Sequence, residues 1–182
     1  MTPGPLLPEG YEMRELEAAD AGALAEAYRR NRAHLEPWEP AREEAFFTER
    51  GQQAVIAASL TAIGQGVLVA WVLTHGDDVV GRMNLNNVVR GVLQSASLGY
   101  WVDVQHLGRG VASGAVELAC VEARRRGLHR LEAGTILHNR ASQRVLERCG
   151  FEHYGTAPSY LFIAGAWQDH RLYQRILHER PL

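Results

Sequence analysis

The spacing of apolar and polar positions changes along the chain, and each change predicts an element. Tyr11 to Leu16 reads as a short first strand. Asp20 stands as an N-cap before a helical pattern that runs to about Asn31. Leu35-Glu36-Pro37-Trp38-Glu39-Pro40 breaks that pattern, and a second helical stretch covers about Arg42 to Ile63, closed by Gly64-Gln65-Gly66. Val67 to Thr74 is almost wholly apolar, as in a strand buried on both faces. After a turn at His75-Gly76-Asp77-Asp78, the stretch Val79 to Asn87 puts Met83 and Leu85 on one face and Arg82, Asn84 and Asn86 on the other. A turn near Gly91 leads to a third apolar run, Leu98 to Val102. Three strands joined by short turns imply antiparallel neighbours.

The next segment departs from this meander. Gln105-x-x-Gly108-x-Gly110-Val111-Ala112 joins the third run to a helix whose stripe is Ala112, Ala115, Val116, Ala119 and Ala123. Arg124-Arg125-Arg126-Gly127 closes that helix with cations at its negative end and a glycine beyond it. Leu131 to Ile136 is a strand, Asn139 to Cys149 a short helix closed by Gly150, and Phe151–Gly155 and Trp167–Ile176 are two final strands around a turn at Gly165. The expected architecture is a single-domain, mixed α/β (α+β) fold over 1–182, with a mostly antiparallel central sheet of about seven strands and about four helices. The Pro/Gly-rich start, residues 1–10, is expected to be loosely ordered.

Strand, glycine turn and helix start together make an anion site. The first helical turn leaves N–H groups unpaired and carries the positive end of the helix dipole. Glycine lets that backbone approach a phosphate. A dinucleotide fingerprint fits poorly: Ser113 stands at its third small position, and an antiparallel meander precedes the loop instead of the first strand of a βαβ unit. A Walker A loop is excluded because no Gly-Lys-Ser/Thr follows.

Composition narrows the setting. A net charge of −2 over 182 residues gives no basic face for nucleic acid. Cys120 and Cys149, each in a helical pattern, build no disulfide framework, which fits a reduced, cytoplasmic protein. No secretory leader pattern opens the chain, and no apolar run is long enough to span a membrane, so neither export nor a membrane partner is expected. The eight histidines show no metal-ligand spacing and read as surface or strand-end residues.

A second constellation stands 31 residues after Gly108: Asn139-Arg140-Ala141-Ser142 opening a helix that ends in Gly150-Phe151. With it, the chain resembles the GNAT acyl-CoA N-acyltransferases, whose pyrophosphate loop reads Q/R-x-x-G-x-G/A and whose later helix opens N-x-x-S/A. The segments Asn31 to Pro40, Asn87-Val88-Val89-Arg90-Gly91, and Tyr160-Leu161 through Trp167-Gln168-Asp169-His170 are similar to the ribosomal-protein-alanine N-acetyltransferases, the RimJ/RimL subfamily. The resemblance implies acetyl-CoA as donor, no metal, and a protein or peptide N-terminus, such as that of a ribosomal protein, as acceptor, with the enzyme a monomer or homodimer.

The resemblance also implies roles. CoA pyrophosphate would lie over the backbone of Leu107, Gly108, Gly110, Val111 and Ala112, with Arg109 adding a charged contact. The strand before the loop would splay from its neighbour, so that Trp101, Val102 and Asp103 offer backbone partners to pantetheine and thioester. Asn139 would cap its helix and bond the cofactor arm. Many GNAT enzymes protonate the leaving thiolate with a tyrosine seven residues after this asparagine. Leu146 stands there, so Ser142, one turn after Asn139 on the same face, becomes the expected acid. Related enzymes take a carboxylate base from the segment before the last strand. Ala157-Pro158-Ser159-Tyr160-Leu161 carries none, which leaves proton loss through water, helped by Tyr160 or a backbone carbonyl. Trp38, Glu39, Asn84, Asn87 and Arg90 are acceptor-binding candidates. The alternatives are acetylation of a small amine (an aminoglycoside, polyamine or amino-acid-like metabolite) and a catalytically silent acyl-CoA-binding regulator.

Overall fold

The structure, a computed structural model, describes residues 6–179. Seven strands form one sheet: β1 (Tyr11–Glu15), β2 (Val69–His75), β3 (Asp78–Val89), β4 (Ser95–Val102), β5 (Arg130–Ile136), β6 (Glu152–Ile163) and β7 (Ala166–Ile176), in the order β1-β2-β3-β4-β5-β7-β6. Every neighbouring pair is antiparallel except β4 and β5. Five α-helices accompany it: α1 (Ala21–Arg30), α2 (Arg32–Leu35), α3 (Glu49–Gly64), α4 (Val111–Arg125) and α5 (Arg140–Arg148). The element order matches the reading from periodicity apart from the one-turn helix α2, which makes five helices instead of about four, and β2 is buried on both faces.

Helices cover the two faces separately. The alanine stripe of α4 (Ala115, Ala119, Ala123) packs with Met83, Leu85, Leu98 and Leu131. On the other face, Leu24 of α1 and Ile56 of α3 pack with Ala70, Val72 and Trp101. Small residues on α4 let that helix lie close to the sheet.

Three boundaries differ from the sequence reading. The second helix begins at Glu49, because Glu44–Phe47 forms a 3-10 turn that buries Phe47, and Thr48 then caps α3 through Oγ1, accepting from the Gly51 N–H at 3.1 Å. Asp20 precedes α1 but does not cap it; its carboxylate accepts from the Glu17 N–H at 2.8 Å and binds Arg14 at 2.6 Å. Strand β6 continues eight residues past Gly155 despite Pro158. As the outer strand of the sheet it tolerates a missing N–H, and an irregularity between Ala157 and Leu161 takes up the extra residues. Of the start expected to be loose, residues 1–5 lie outside the described residues. Leu7 packs against the core, and the Tyr11 N–H donates to the Pro8 carbonyl at 3.2 Å.

One topological feature positions everything that follows. The parallel strands β4 and β5 pair only from Ser95–Ser97 to Arg130–Glu132. Beyond that point β4 follows β3 to Val102, while β5 follows β7 to Ile136. The sheet opens between them.

Candidate active site

A cavity of about 670 Å³ fills the opening. On one face of the sheet it is bounded by the glycine turn, α4 and α5; on the other it meets Leu35, Trp38 and Glu39.

The backbone of β4 decides which groups face the opening. The Asp103 N–H donates to the Val80 carbonyl at 2.8 Å, continuing the Gly81–Val102 register. Backbone groups of a strand alternate sides, so Trp101 and Gly99 also turn toward β3, while Val102, Tyr100 and Leu98 present theirs to the opening. Of the three expected partners, Val102 therefore turns its backbone to the opening, while Trp101 and Asp103 turn theirs to β3. The Trp101 indole borders the cavity but packs among the helices, its Nε1 donating to Tyr28 Oη at 3.0 Å. The Asp103 side chain is 0% exposed; it accepts from Arg30 Nε and Asn31 Nδ2, each at 2.7 Å, and from the Gln105 N–H at 2.8 Å. Asp103 holds the end of β4 to the α1–α2 junction, away from the cavity.

The glycine turn lines the cavity through Leu107, Gly108, Gly110, Val111 and Ala112. Gly108 and Gly110 have φ of 73° and 84°, the left-handed region that favours glycine. Gly110 starts α4 with no side-chain cap, so the first-turn N–H groups are left for another partner. The space a Cβ would take at Gly108 is open. Arg109 does not line the cavity; its Nη1 donates to Tyr11 Oη at 3.5 Å. His106, which the sequence reading passed over, borders the cavity and bonds Tyr11 Oη through Nδ1 at 2.8 Å. Burial, with help from the Arg109 charge, holds its imidazole below the usual histidine range against the pull of Asp103.

Across the opening, Asn139 caps α5: its Oδ1 accepts the Ser142 N–H at 3.1 Å. Asn139→Ala should cost about 1 kcal/mol of stability, read as a lower urea midpoint with unchanged slope. Ser142 Oγ lies 2.9 Å from Tyr100 Oη. Burial pushes the Tyr100 phenol well above its ordinary range, so it keeps its hydrogen. Leu146 is fully buried, and Tyr100 brings a phenol hydroxyl from β4 to Ser142.

On the far face Trp38 packs at a tilt against His138, with ring centroids 5.2 Å apart. Burial raises the Glu39 carboxyl, with Arg42 and Arg82 pulling the other way. Tyr160 is 48% exposed and sits behind His170, centroids 5.4 Å apart, without lining the cavity. His170 is 2% exposed and does line it. Asn84 lies one strand back and accepts from Arg82 Nε at 3.2 Å. Asn87 and Arg90 stand at the paired end of the sheet, where Arg90 donates to the Arg126 carbonyl at 2.7 Å. That carbonyl is at the far end of α4, about 22 Å from the glycine turn. These three side chains do not converge on the opening. Among the described residues no group of three His, Cys, Asp or Glu converges to hold a metal.

The family model described as "Acetyltransferase (GNAT) domain" matches residues 11–152. The chain belongs to the GNAT acetyltransferases. It is 36% identical over 163 residues to the [ribosomal protein uS5]-alanine N-acetyltransferase of Escherichia coli, covering 88% of this chain and 84% of that protein. Its fold is similar to that of the ribosomal-protein-S5-alanine acetyltransferase from Vibrio fischeri, with a TM-score of 0.91 and 31% identity over 96% of this chain and 97% of that one. It is also similar to Mycobacterium smegmatis RimJ in complex with CoA-disulfide, with a TM-score of 0.88 and 28% identity over 94% and 83% of the two chains.

The site of this acetyltransferase fits CoA. The uncapped start of α4 and the open glycine backbone suit a pyrophosphate, and the outward backbone groups of Tyr100 and Val102 suit an extended amide-bearing arm. Besides His106, two side chains at the acetyltransferase cleft escaped the sequence reading. Tyr100 looked like one apolar residue in an apolar run. His170 looked like a strand-end histidine, although its alternation with Leu172 along β7 was a usable signal.

Proposed function

We propose that this acetyltransferase moves the acetyl group of acetyl-CoA onto the α-amine of a protein N-terminus, of the ribosomal-protein-alanine type, by direct attack in a ternary complex. One observation carries the reading: the cavity passes through the sheet, so a donor held at the glycine turn on one face meets an acceptor arriving past Trp38 and Glu39 on the other. The identity to the uS5-alanine enzyme supports a protein acceptor, and a ribosomal acceptor implies a cytoplasmic setting.

Acetyl-CoA supplies an activated acyl carbon. The backbone groups of Tyr100 and Val102 align it, and an N–H among them polarises its carbonyl. The amine attacks in neutral form. An α-amine titrates near 7.7–8.0 against about 10.4 for lysine, so a useful share is already neutral at physiological pH. Glu39 attracts the amine before it loses its proton. The new C–N bond forms as the C–S bond breaks, and Ser142 gives the departing sulfur a proton.

Release of free thiol from acetyl-CoA, followed with short peptides beginning in alanine, tests the reading. The expected outcome is a kcat/KM at least tenfold above that with polyamines or aminoglycosides, and a mass gain confined to the peptide α-amine. Turnover with small amines and none with peptides overturns it.

A further inference from the structure

We propose that His170 is the proton acceptor for the attacking amine. The assignment rests on an amine as acceptor, peptide or otherwise.

Four observations converge on this side chain. His170 is paired with Ile136 at the end of β5, where β4 and β5 have separated. It lines the cavity yet is nearly removed from bulk water. Ala133 of β5 packs in the core beside α4, so Gly134 and Ile136 turn to the opposite face, and with Ile136 its cross-strand partner His170. That is the face of Trp101, Trp38 and Glu39, from which the acceptor arrives.

The fourth observation concerns the tautomer. His170 Nδ1 lies 2.9 Å from the Gln168 carbonyl oxygen. A carbonyl only accepts, so Nδ1 carries the hydrogen, and in the neutral ring Nε2 keeps its lone pair. Neighbouring features hold the ring there. Tyr160 packs against it, delivered by the irregularity in β6 that the Ser159 N–H ties to Asp169 Oδ1 at 2.8 Å. Gly134 faces it without a side chain, and a Cβ there would come within 3.6 Å of His170 and 3.7 Å of Tyr160. Tyr160, a candidate for moving this proton itself, becomes the packing that orients the imidazole.

In the step, the amine nitrogen bonds to the thioester carbonyl carbon and one of its protons passes to His170 Nε2. The C–S electron pair leaves with sulfur, which takes the proton of the Ser142 hydroxyl. Between turnovers the imidazolium gives a proton to water and Ser142 regains one, so the sum is amide plus free thiol.

The test uses the full chain with an alanine-initiated peptide and, in parallel, a polyamine, so the assignment is decided whichever amine is turned over. His170→Asn places an amide N–H where Nδ1 was, keeps the bond to the Gln168 carbonyl and removes the base. It should lower kcat at least 100-fold, with KM and acetyl-CoA affinity within threefold and the melting temperature nearly unchanged. His170→Ala should regain at least tenfold of its lost kcat in added imidazole. A kcat for His170→Asn within threefold of the parent overturns the assignment. So does a loss carried by KM or by melting temperature with no imidazole rescue, which is what a merely structural histidine gives.

Discussion

Ser142→Ala should lower kcat about 100-fold while leaving acetyl-CoA affinity within a factor of about three, because a positioned proton donor contributes on the order of 10²–10⁴ in rate. The hydroxyl is in the first turn of α5, where the helix N-terminus favours the negative charge that gathers on sulfur. Tyr100 Oη, 2.9 Å away and held protonated by burial, shares a hydrogen bond with Ser142 Oγ that fixes the orientation of the serine hydroxyl. Tyr100→Phe keeps the ring in the core and removes that orientation, so its kcat loss should be smaller, about tenfold. The double variant should lose little more than Ser142→Ala alone, since both act on one proton. Rapid-quench measurement of the acetyl-transfer step separates this from slow product release. An unchanged single-turnover rate in Ser142→Ala removes serine from the mechanism.

Asp103→Ala should destabilise the fold by about 3 kcal/mol, the lower end of the cost of stripping one partner from a buried ion pair. The lower end applies because Arg30 is 33% exposed and keeps part of its hydration. The loss also strips one of the two partners of the buried Asn31 Nδ2, leaving it the Ala27 carbonyl, while Asn31 Oδ1 still accepts the Val104 N–H. For a chain of this size the melting temperature should fall by roughly 6–12 °C. The pH dependence has a definite sign. Burial alone would raise the Asp103 carboxyl, but the Asn31 amide, the Gln105 N–H and the Arg30 charge outweigh it and hold it below the usual carboxylate range. A group depressed in the folded state stabilises above its unfolded value, near 3.9, and loses that contribution as pH falls through its folded value. The part of the gap that comes from the charge should therefore be full at neutral pH and begin to narrow as pH falls below about 4. Thermal melts at pH 7 and pH 3.5 read it directly.

The placement of Asp103 shows how the two levels of information divide. Local pattern was enough for the seven strands, because a period near two or a wholly apolar run is set by which faces are buried. It was enough for the glycine turn, since the left-handed conformations of Gly108 and Gly110 restrict the residue type. It also sufficed for the α5 cap, where Asn139 and Ser142 are three residues apart and meet through local geometry alone. Strand β6, read from local pattern as ending at Gly155, runs on through Pro158, whose missing N–H is harmless only because β6 is the sheet edge.

Everything that depended on two distant segments meeting lay beyond that reach. Asp103 looked like a cleft residue by its neighbours in sequence, and a salt bridge 73 residues away claimed it. Asn87 and Arg90 sat on a plausible strand end, but the register of β3 against β4 put that end opposite to the opening. Tyr100 and Ser142, 42 residues apart, share one hydrogen bond across the cleft. His170 gained its place from the parting of β4 and β5, which no single strand encodes. The sequence by itself determined the elements, the glycine turn and the family, because these follow from residue type and short-range spacing. The tertiary structure decided which side chains face the cleft, because pleat and register set that direction, and a one-residue change in either turns a side chain to the opposite face.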